Sequence, residues 1–115
     1  MAAASMSVLA VTVAATGTIA TARLVTPAGA QCGADGVAIG VARTAAVSGD
    51  KIAVDVLGTA VVEAGAAITL GATLKSDSTG RAITWATSGA RVGIALSAAG
   101  AAGDMIEALL IHDAS

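Results

Sequence analysis

The stretch Gly40-Val41-Ala42-Arg43-Thr44-Ala45-Ala46, followed by Gly49-Asp50-Lys51-Ile52-Ala53-Val54, decides the fold. Its pattern is repeated by Gly93-Ile94-Ala95-Leu96-Ser97-Ala98-Ala99, followed by Gly103-Asp104-Met105-Ile106-Glu107-Ala108. In each copy a short apolar run leads to a Gly-Asp turn and a second run. Glycine adopts positive φ at low steric cost, and aspartate hydrogen-bonds to its own turn backbone. We therefore predict two related units, over residues 16–62 and 64–112, that together close a small barrel.

Short β-branched or alternating runs, with glycines between or beside them, continue on both sides of the repeat. Lys51 to Val56 alternates polar and apolar residues, which is the pattern of a half-buried strand. The other predicted strands cover residues 8–13, 18–25, 36–42, 59–63, 68–74, 81–86, 90–96 and 105–112. The alanine-rich residues 97–102 permit one short helical turn, because alanine has the highest helix propensity. Short strands at this spacing predict an all-β fold.

The first 22 residues carry no charged side chain, and we interpret residues 1–15 as an extended, apolar N-terminal arm. A signal peptide has a basic residue before its apolar stretch, whereas here the first basic residue, Arg23, follows it. A membrane span needs about 20 predominantly apolar residues, and Ser and Thr interrupt this stretch repeatedly. We therefore predict an arm over residues 1–15 and a single β domain over residues 16–115.

The composition indicates a protein that associates with something else. The chain has 115 residues, which suits one domain, and 56% of them are hydrophobic. Most of these are alanine and valine, which bury little area each, so the core gains little stability per residue. Only 6 Lys and Arg and 8 Asp and Glu residues are available for the surface. So few charges suggest that part of the outside is covered by another molecule.

Several function classes are disfavoured by the residue types present. The net charge is −2 and the basic residues are scattered, whereas a nucleic-acid interface needs several cations on one face. Cys32 and His112 are the single cysteine and the single histidine, so neither a zinc site nor a nucleophilic triad is indicated. No P-loop motif is present. We predict no enzyme activity, no cofactor, no metal, and neither nucleic acid nor membrane as a partner.

Two residues allow alternative interpretations. Lys51 follows Gly49-Asp50, and a lysine at a hairpin tip is the attachment point of lipoyl carrier domains, although Ile52 stands where those domains have alanine. The alternative functions are therefore a lipoyl-like carrier that uses Lys51, or a generic β-barrel interaction module. Trp85, the single aromatic residue, is either a core anchor or a contact residue at an interface.

The chain resembles the small β-type capsid decoration, or cement, proteins of tailed phages over residues 18–112. The resemblance rests on the Gly40 and Gly93 segments with their Gly-Asp turns and on four further motifs. These motifs are Val54-Asp55-Val56-Leu57-Gly58, Glu63-Ala64-Gly65-Ala66-Ala67-Ile68, Asp77-Ser78-Thr79-Gly80-Arg81 and Glu107-Ala108-Leu109-Leu110-Ile111. The N-terminal arm matches less well, because family members often begin with polar residues.

The resemblance implies a compact β-barrel or β-tulip-like fold and a structural role in the virion. Such proteins bind the outer surface of the expanded capsid, often as homotrimers, and brace it. The implied partners are the major capsid protein and further copies of the chain, which would be made in the host cytoplasm. We expect the contacts to involve the arm residues Met6, Val8, Leu9 and Val11, together with Trp85.

Overall fold

The computed structural model describes the backbone of residues 7–113 and the side chains of residues 8–111, and these residues form strands and turns without a helix. The all-β prediction is confirmed. The strands are β1 (Ser7–Ala14), β2 (Leu24–Val25), β3 (Gly40–Ala42), β4 (Lys51–Glu63), β5 (Thr73–Ser76), β6 (Ala82–Thr84), β7 (Arg91–Ala95) and β8 (Met105–Asp113). Within residues 97–102, Ala99 forms a bridge with Ile68, so the permitted helical turn is absent.

The strands form one barrel-like sheet in the order β2-β3-β4-β8-β7-β5-β6, and β1 pairs with β4 beside this path. All named strand pairs are antiparallel. The sheet nearly closes, because Ala82 at the start of β6 forms a parallel bridge with Ala64, just after β4. The Gly65 N–H donates to the Ala82 carbonyl at 2.8 Å. A nearly closed sheet leaves few strand edges exposed.

The pairing register occurs twice, once in residues 7–58, which we call the N-terminal half, and once in residues 59–113, the C-terminal half. The pair of Ala10 and Asp55 in the N-terminal half corresponds to the pair of Thr59 and Leu109 in the C-terminal half. Leu24 pairs with Val41 as Thr73 pairs with Ile94. The long strand β4 therefore ends the first half and begins the second. Residues that occupy the same place in the two registers are called equivalent below.

The two Gly-Asp turns are also alike. Gly49 and Gly103 both have φ 95°. The Gly49 N–H donates to the Ala15 carbonyl and the Gly103 N–H donates to the Ala64 carbonyl, each at 2.8 Å. The Asp50 carboxylate accepts the Val47 N–H at 3.0 Å, and the Asp104 carboxylate accepts the Gly100 N–H at 2.8 Å. Each aspartate thus satisfies turn backbone groups that its strands leave unpaired.

The core consists of two clusters of small apolar side chains. One cluster lies within the N-terminal half and includes Ile19, Val25, Ile52, Val54 and Val56. The other fills the C-terminal half, but it also contains four residues of the N-terminal half: Leu24, Cys32, Ala38 and Val41. The two halves therefore share a continuous packed interface, which fixes them to each other.

Some strands differ from their predicted bounds. Residues 18–23 are held by isolated contacts, such as the bridge between Ile19 and Ala46, so β2 keeps only Leu24–Val25. The predicted break near Gly58 is absent, because Gly58 takes φ 93° inside β4 and the strand continues to Glu63. β1 lies within the predicted arm, and the division of the chain at residue 15 stays a prediction. No helix within residues 7–113 is long and apolar enough to cross a membrane.

Candidate interaction surface

The exposed apolar residues of β1 form the first part of the candidate surface. Val8 is 77% exposed, and Leu9 is exposed beside its cross-strand partner Leu57, which is exposed too. A register shift on each side of Leu9 turns its side chain outward. By contrast, Val11 packs against the core cluster of the N-terminal half and is only partly buried. Met6, which sequence reasoning placed in the same surface, lies outside the described residues.

β1 also offers a backbone edge. Its pairing with β4 runs from Ser7 opposite Gly58 to Ala14 opposite Lys51. Among the strands of residues 7–113, β1 pairs with β4 alone, so its other edge is free of pairing with a described strand. An edge of this kind is able to accept a strand from another protein.

Trp85 lies immediately after β6 and belongs to neither core cluster. Its indole N–H donates to the Gly89 carbonyl at 2.9 Å, and the Arg91 guanidinium lies 4.3 Å from the ring centroid. A cation above the ring face is attracted by the negative charge density of that face. The ring is only partly buried, which leaves it accessible to a partner molecule.

A network of ion pairs joins the two halves at the end of β4. The Glu63 carboxylate lies 3.2 Å from Arg23 Nη2 and 3.5 Å from Arg81 Nη1, and Arg81 also lies 3.4 Å from Asp77. Arg23 further donates to the Thr79 carbonyl at 2.8 Å. All four charged side chains are at least two-thirds buried, so their mutual attraction is screened less than that of a surface pair.

Replacing Glu63 with glutamine is expected to lower the free energy of unfolding by about 1–3 kcal/mol, because two largely buried guanidinium groups lose their carboxylate. The measurement is urea unfolding followed by Trp85 fluorescence. Glu107→Gln is the matched control, since the Glu107 side chain makes no ion pair with any other side chain of residues 8–111. Equal losses for both variants would show that the network contributes nothing.

Asp77 has a pKa below its ordinary value. Burial alone raises the pKa, but it is outweighed by hydrogen bonds from the Thr79 and Arg81 N–H groups, from the Thr79 hydroxyl, and by the charge of Arg81. One oxygen, Oδ1, accepts the two N–H groups at 2.8 and 2.9 Å. While Asp77 is ionised, these hydrogen bonds hold the turn before β6 in place.

The lowered pKa predicts a pH dependence of stability. The contribution of Asp77 is complete above the ordinary carboxyl pKa of 3.8 and is lost as the pH falls through the lower folded value. Asp77→Asn keeps an acceptor oxygen but cannot titrate. When the pH is lowered from 5 through the folded pKa of Asp77, we expect wild type to lose more stability than Asp77→Asn, by about 1 kcal/mol or less. The measurement is urea unfolding at each pH. Parallel curves would contradict the assignment.

A groove of about 280 Å³ between the halves is lined mainly by apolar groups, and its lining includes the Arg43–Asp55 ion pair of 2.7 Å. Among the described residues, no group of three or more His, Cys, Asp and Glu is placed to hold a metal ion. Cys32 is a buried free thiol within the core, and the His112 side chain lies outside the described residues.

Lys51 is the first residue of β4 and pairs with Ala14. It therefore lies in a strand, one residue past the turn, whereas the carrier interpretation needs a lysine at the tip of a hairpin. Sequence reasoning did not find the exposed leucines Leu57, Leu70, Leu96 and Leu109. The outward positions of alternating strands could have indicated Leu57 and Leu109, but the register was needed to place them on one side of the sheet.

Comparisons with known proteins agree with this architecture. A family model described as phage cement protein matches residues 3–110. The crystal structure of the head fiber gp8.5 N base in bacteriophage phi29 is similar with a TM-score of 0.73, at 19% sequence identity, over 93% of this chain and 97% of that chain. At this identity the structural likeness shows the fold alone. The comparison with curated proteins gives no match.

Proposed function

The chain belongs to the phage cement protein family, and from this premise we propose that it binds the outer surface of a phage capsid and stabilises it. It is thus a structural, virion-associated protein. The observation that carries the proposal is the family match, which spans nearly the whole chain. The physical design suits the role, because cementing requires a rigid fold and a contact surface and needs no acid, base or metal.

The proposed partner is the major capsid protein, and the proposed contacts lie mainly on the arm. Val8 and Leu9 offer exposed apolar area, and the free edge of β1 offers backbone groups for an added strand. Met6, Val11 and Trp85 complete the proposed contact residues, each against the capsid or against another copy of the chain. We infer that the arm lies on the shell or pairs with a capsid strand.

We further propose that the chain has no enzymatic activity, that it is made in the host cytoplasm, and that it associates with itself, as a homotrimer. Self-association is supported by the low content of charged side chains, 6 basic and 8 acidic in 115 residues, and by the apolar side chains left exposed. Many copies on one shell add up contacts that are individually weak.

The experiment is a binding assay with capsids of the phage that encodes the chain, prepared without it and expanded. We expect saturable binding by the purified protein and a higher temperature of capsid disruption when the sites are filled. Sedimentation of capsids with bound protein measures the first, and release of packaged DNA on heating measures the second. Absence of binding to expanded capsids would overturn the proposed function.

A further inference from the structure

Within the chain, one face of the N-terminal half packs on the C-terminal half. Leu24 and Val41 are each 2% exposed because they belong to the core cluster of the C-terminal half. Asp55, the partner of Val41 on the neighbouring strand β4, is also buried and forms an ion pair with Arg43. Leu24 and Val41 on this face are thus covered by the other half, beside the groove that Arg43 and Asp55 line.

The equivalent face of the C-terminal half has no such cover. Thr73 and Ile94, the equivalents of Leu24 and Val41, are partly exposed, and Leu109, the equivalent of Asp55, is exposed. Two further exposed leucines, Leu70 and Leu96, lie on this face, and Leu70 is 63% exposed. Their equivalents in the N-terminal half, Thr21 and Arg43, are exposed as well but are polar. We call Leu70, Ile94, Leu96 and Leu109 the leucine face.

The N-terminal half in turn leaves partly open the face that is equivalent to the one on which Leu24 and Val41 pack in the C-terminal half. Ala60, Val62 and Val92 are buried in the same core cluster as Leu24 and Val41. Their equivalents Val11, Val13 and Ile39 are only partly buried. Val37 is 45% exposed, whereas its equivalent Ala90 is buried. We call Val11, Val13, Val37 and Ile39 the valine face.

We propose that the leucine face of one copy packs on the valine face of the next copy, in the way that the N-terminal half packs on the C-terminal half within the chain. The contact joins two different faces, so it is head-to-tail and closes a ring when the rotation per copy permits. The inference rests on the self-association proposed above and names its surfaces.

The residue types that differ between equivalent positions of the two halves are consistent with a contact between chains. Beside the covered residues Leu24 and Val41, the N-terminal half carries the polar residues Arg43 and Asp55, an ion pair in which the Arg43 side chain is 47% exposed. The leucine face has Leu96 and Leu109 in the same places, so its contact is apolar. Burial of apolar area drives association without screening by salt, and we therefore expect self-association to persist at high ionic strength.

The test uses two full-length variants, one for each face: the double variant Leu70→Asp, Leu96→Asp and the single variant Val37→Asp. All three positions are exposed, so the fold should persist, as checked by circular dichroism. An aspartate in an apolar contact is expected to weaken self-association at least about 100-fold. Native mass spectrometry should show oligomers of wild type and monomers of each variant. Val47→Asp, at an exposed turn position outside both faces, is the control and should assemble like wild type.

Mixing the two variants distinguishes a head-to-tail contact from a symmetric one. The first variant keeps its valine face and the second keeps its leucine face, so the mixture should form a one-to-one dimer that cannot grow. Failure to form this dimer, assembly of either variant like wild type, or a wild type that stays monomeric at its highest soluble concentration overturns the inference. Capsid binding is measured separately: a monomer that binds capsids refutes these faces alone, and an oligomer that does not bind refutes the capsid role alone.

Discussion

Gly40→Ala is expected to lower the free energy of unfolding by about 3 kcal/mol or more, or to prevent folding. β3 lies so close to β4 at this position that a Cβ atom on Gly40 would overlap the Asp55 carbonyl oxygen and lie 3.1 Å from Val54 Cγ1. A backbone oxygen cannot rotate away as a side chain does. To make room, β3 would have to move from β4, which breaks the pairing of Val41 with Asp55 and of Ala42 with Val54.

The measurement is urea unfolding followed by Trp85 fluorescence, with two comparison variants. Gly17→Ala is the control, since no described residue other than its chain neighbours has an atom within 4 Å of the Cβ position, and Gly17 lacks a positive φ. We expect a change within about 0.5 kcal/mol. Gly93→Ala should be intermediate, because its Cβ would lie 2.7 Å from the Leu109 carbonyl oxygen. Equal stability of Gly40→Ala and Gly17→Ala would mean that β3 does not lie close enough to β4 for a Cβ atom on Gly40 to clash with it.

These glycines explain why the fold class could be predicted from the sequence. Gly40 and Gly93 recur because each strand crosses a neighbouring backbone too closely for a side chain, and Gly49 and Gly103 recur because each turn requires positive φ. Both constraints are local, so they leave the same residue at the same spacing in the two halves. A repeated pattern in one sequence therefore carries information about backbone geometry.

The packing between the halves could not be predicted in the same way. Arg23 and Glu63 are 40 residues apart, and their ion pair depends on how one half is placed on the other. Leu24 and Thr73 occupy equivalent positions, yet one is buried and the other partly exposed. Strand patterns specify which residues face outward, but the cover on each face follows from the arrangement of the halves.

The candidate contact residues were predictable only in part. Val8 and Leu9 are apolar residues in a segment without charges, and they prove to be exposed. Val11 has the same character in the sequence, but the alternation of β1 turns it toward the core cluster. The register shift beside Leu9 has no signature in the sequence. It decides which arm residues are available to a partner.

Val8→Asp is expected to weaken capsid binding about 100-fold or more without unfolding the protein. Val8 is 77% exposed, so an aspartate at this position is solvated in the free protein. If Val8 is buried against the shell, as we propose, the charge loses its water on binding, which costs several kcal/mol. The measurement is the occupancy of expanded capsids at increasing protein concentration. Val47→Asp, the same substitution at a 58% exposed turn position, is the control.

A deletion of residues 2–7 separates the two ways in which the arm could bind. The deletion removes the segment before Val8 but leaves Ala10 to Ala14 and their pairing with β4. Loss of binding in both the deletion and Val8→Asp would place the contact on the arm as a whole. Loss in Val8→Asp alone would confine it to the start of β1, where an added strand could pair with the free edge. If both proteins fill the capsid like wild type, the arm does not bind the shell, and the proposed contact must lie elsewhere on the molecule.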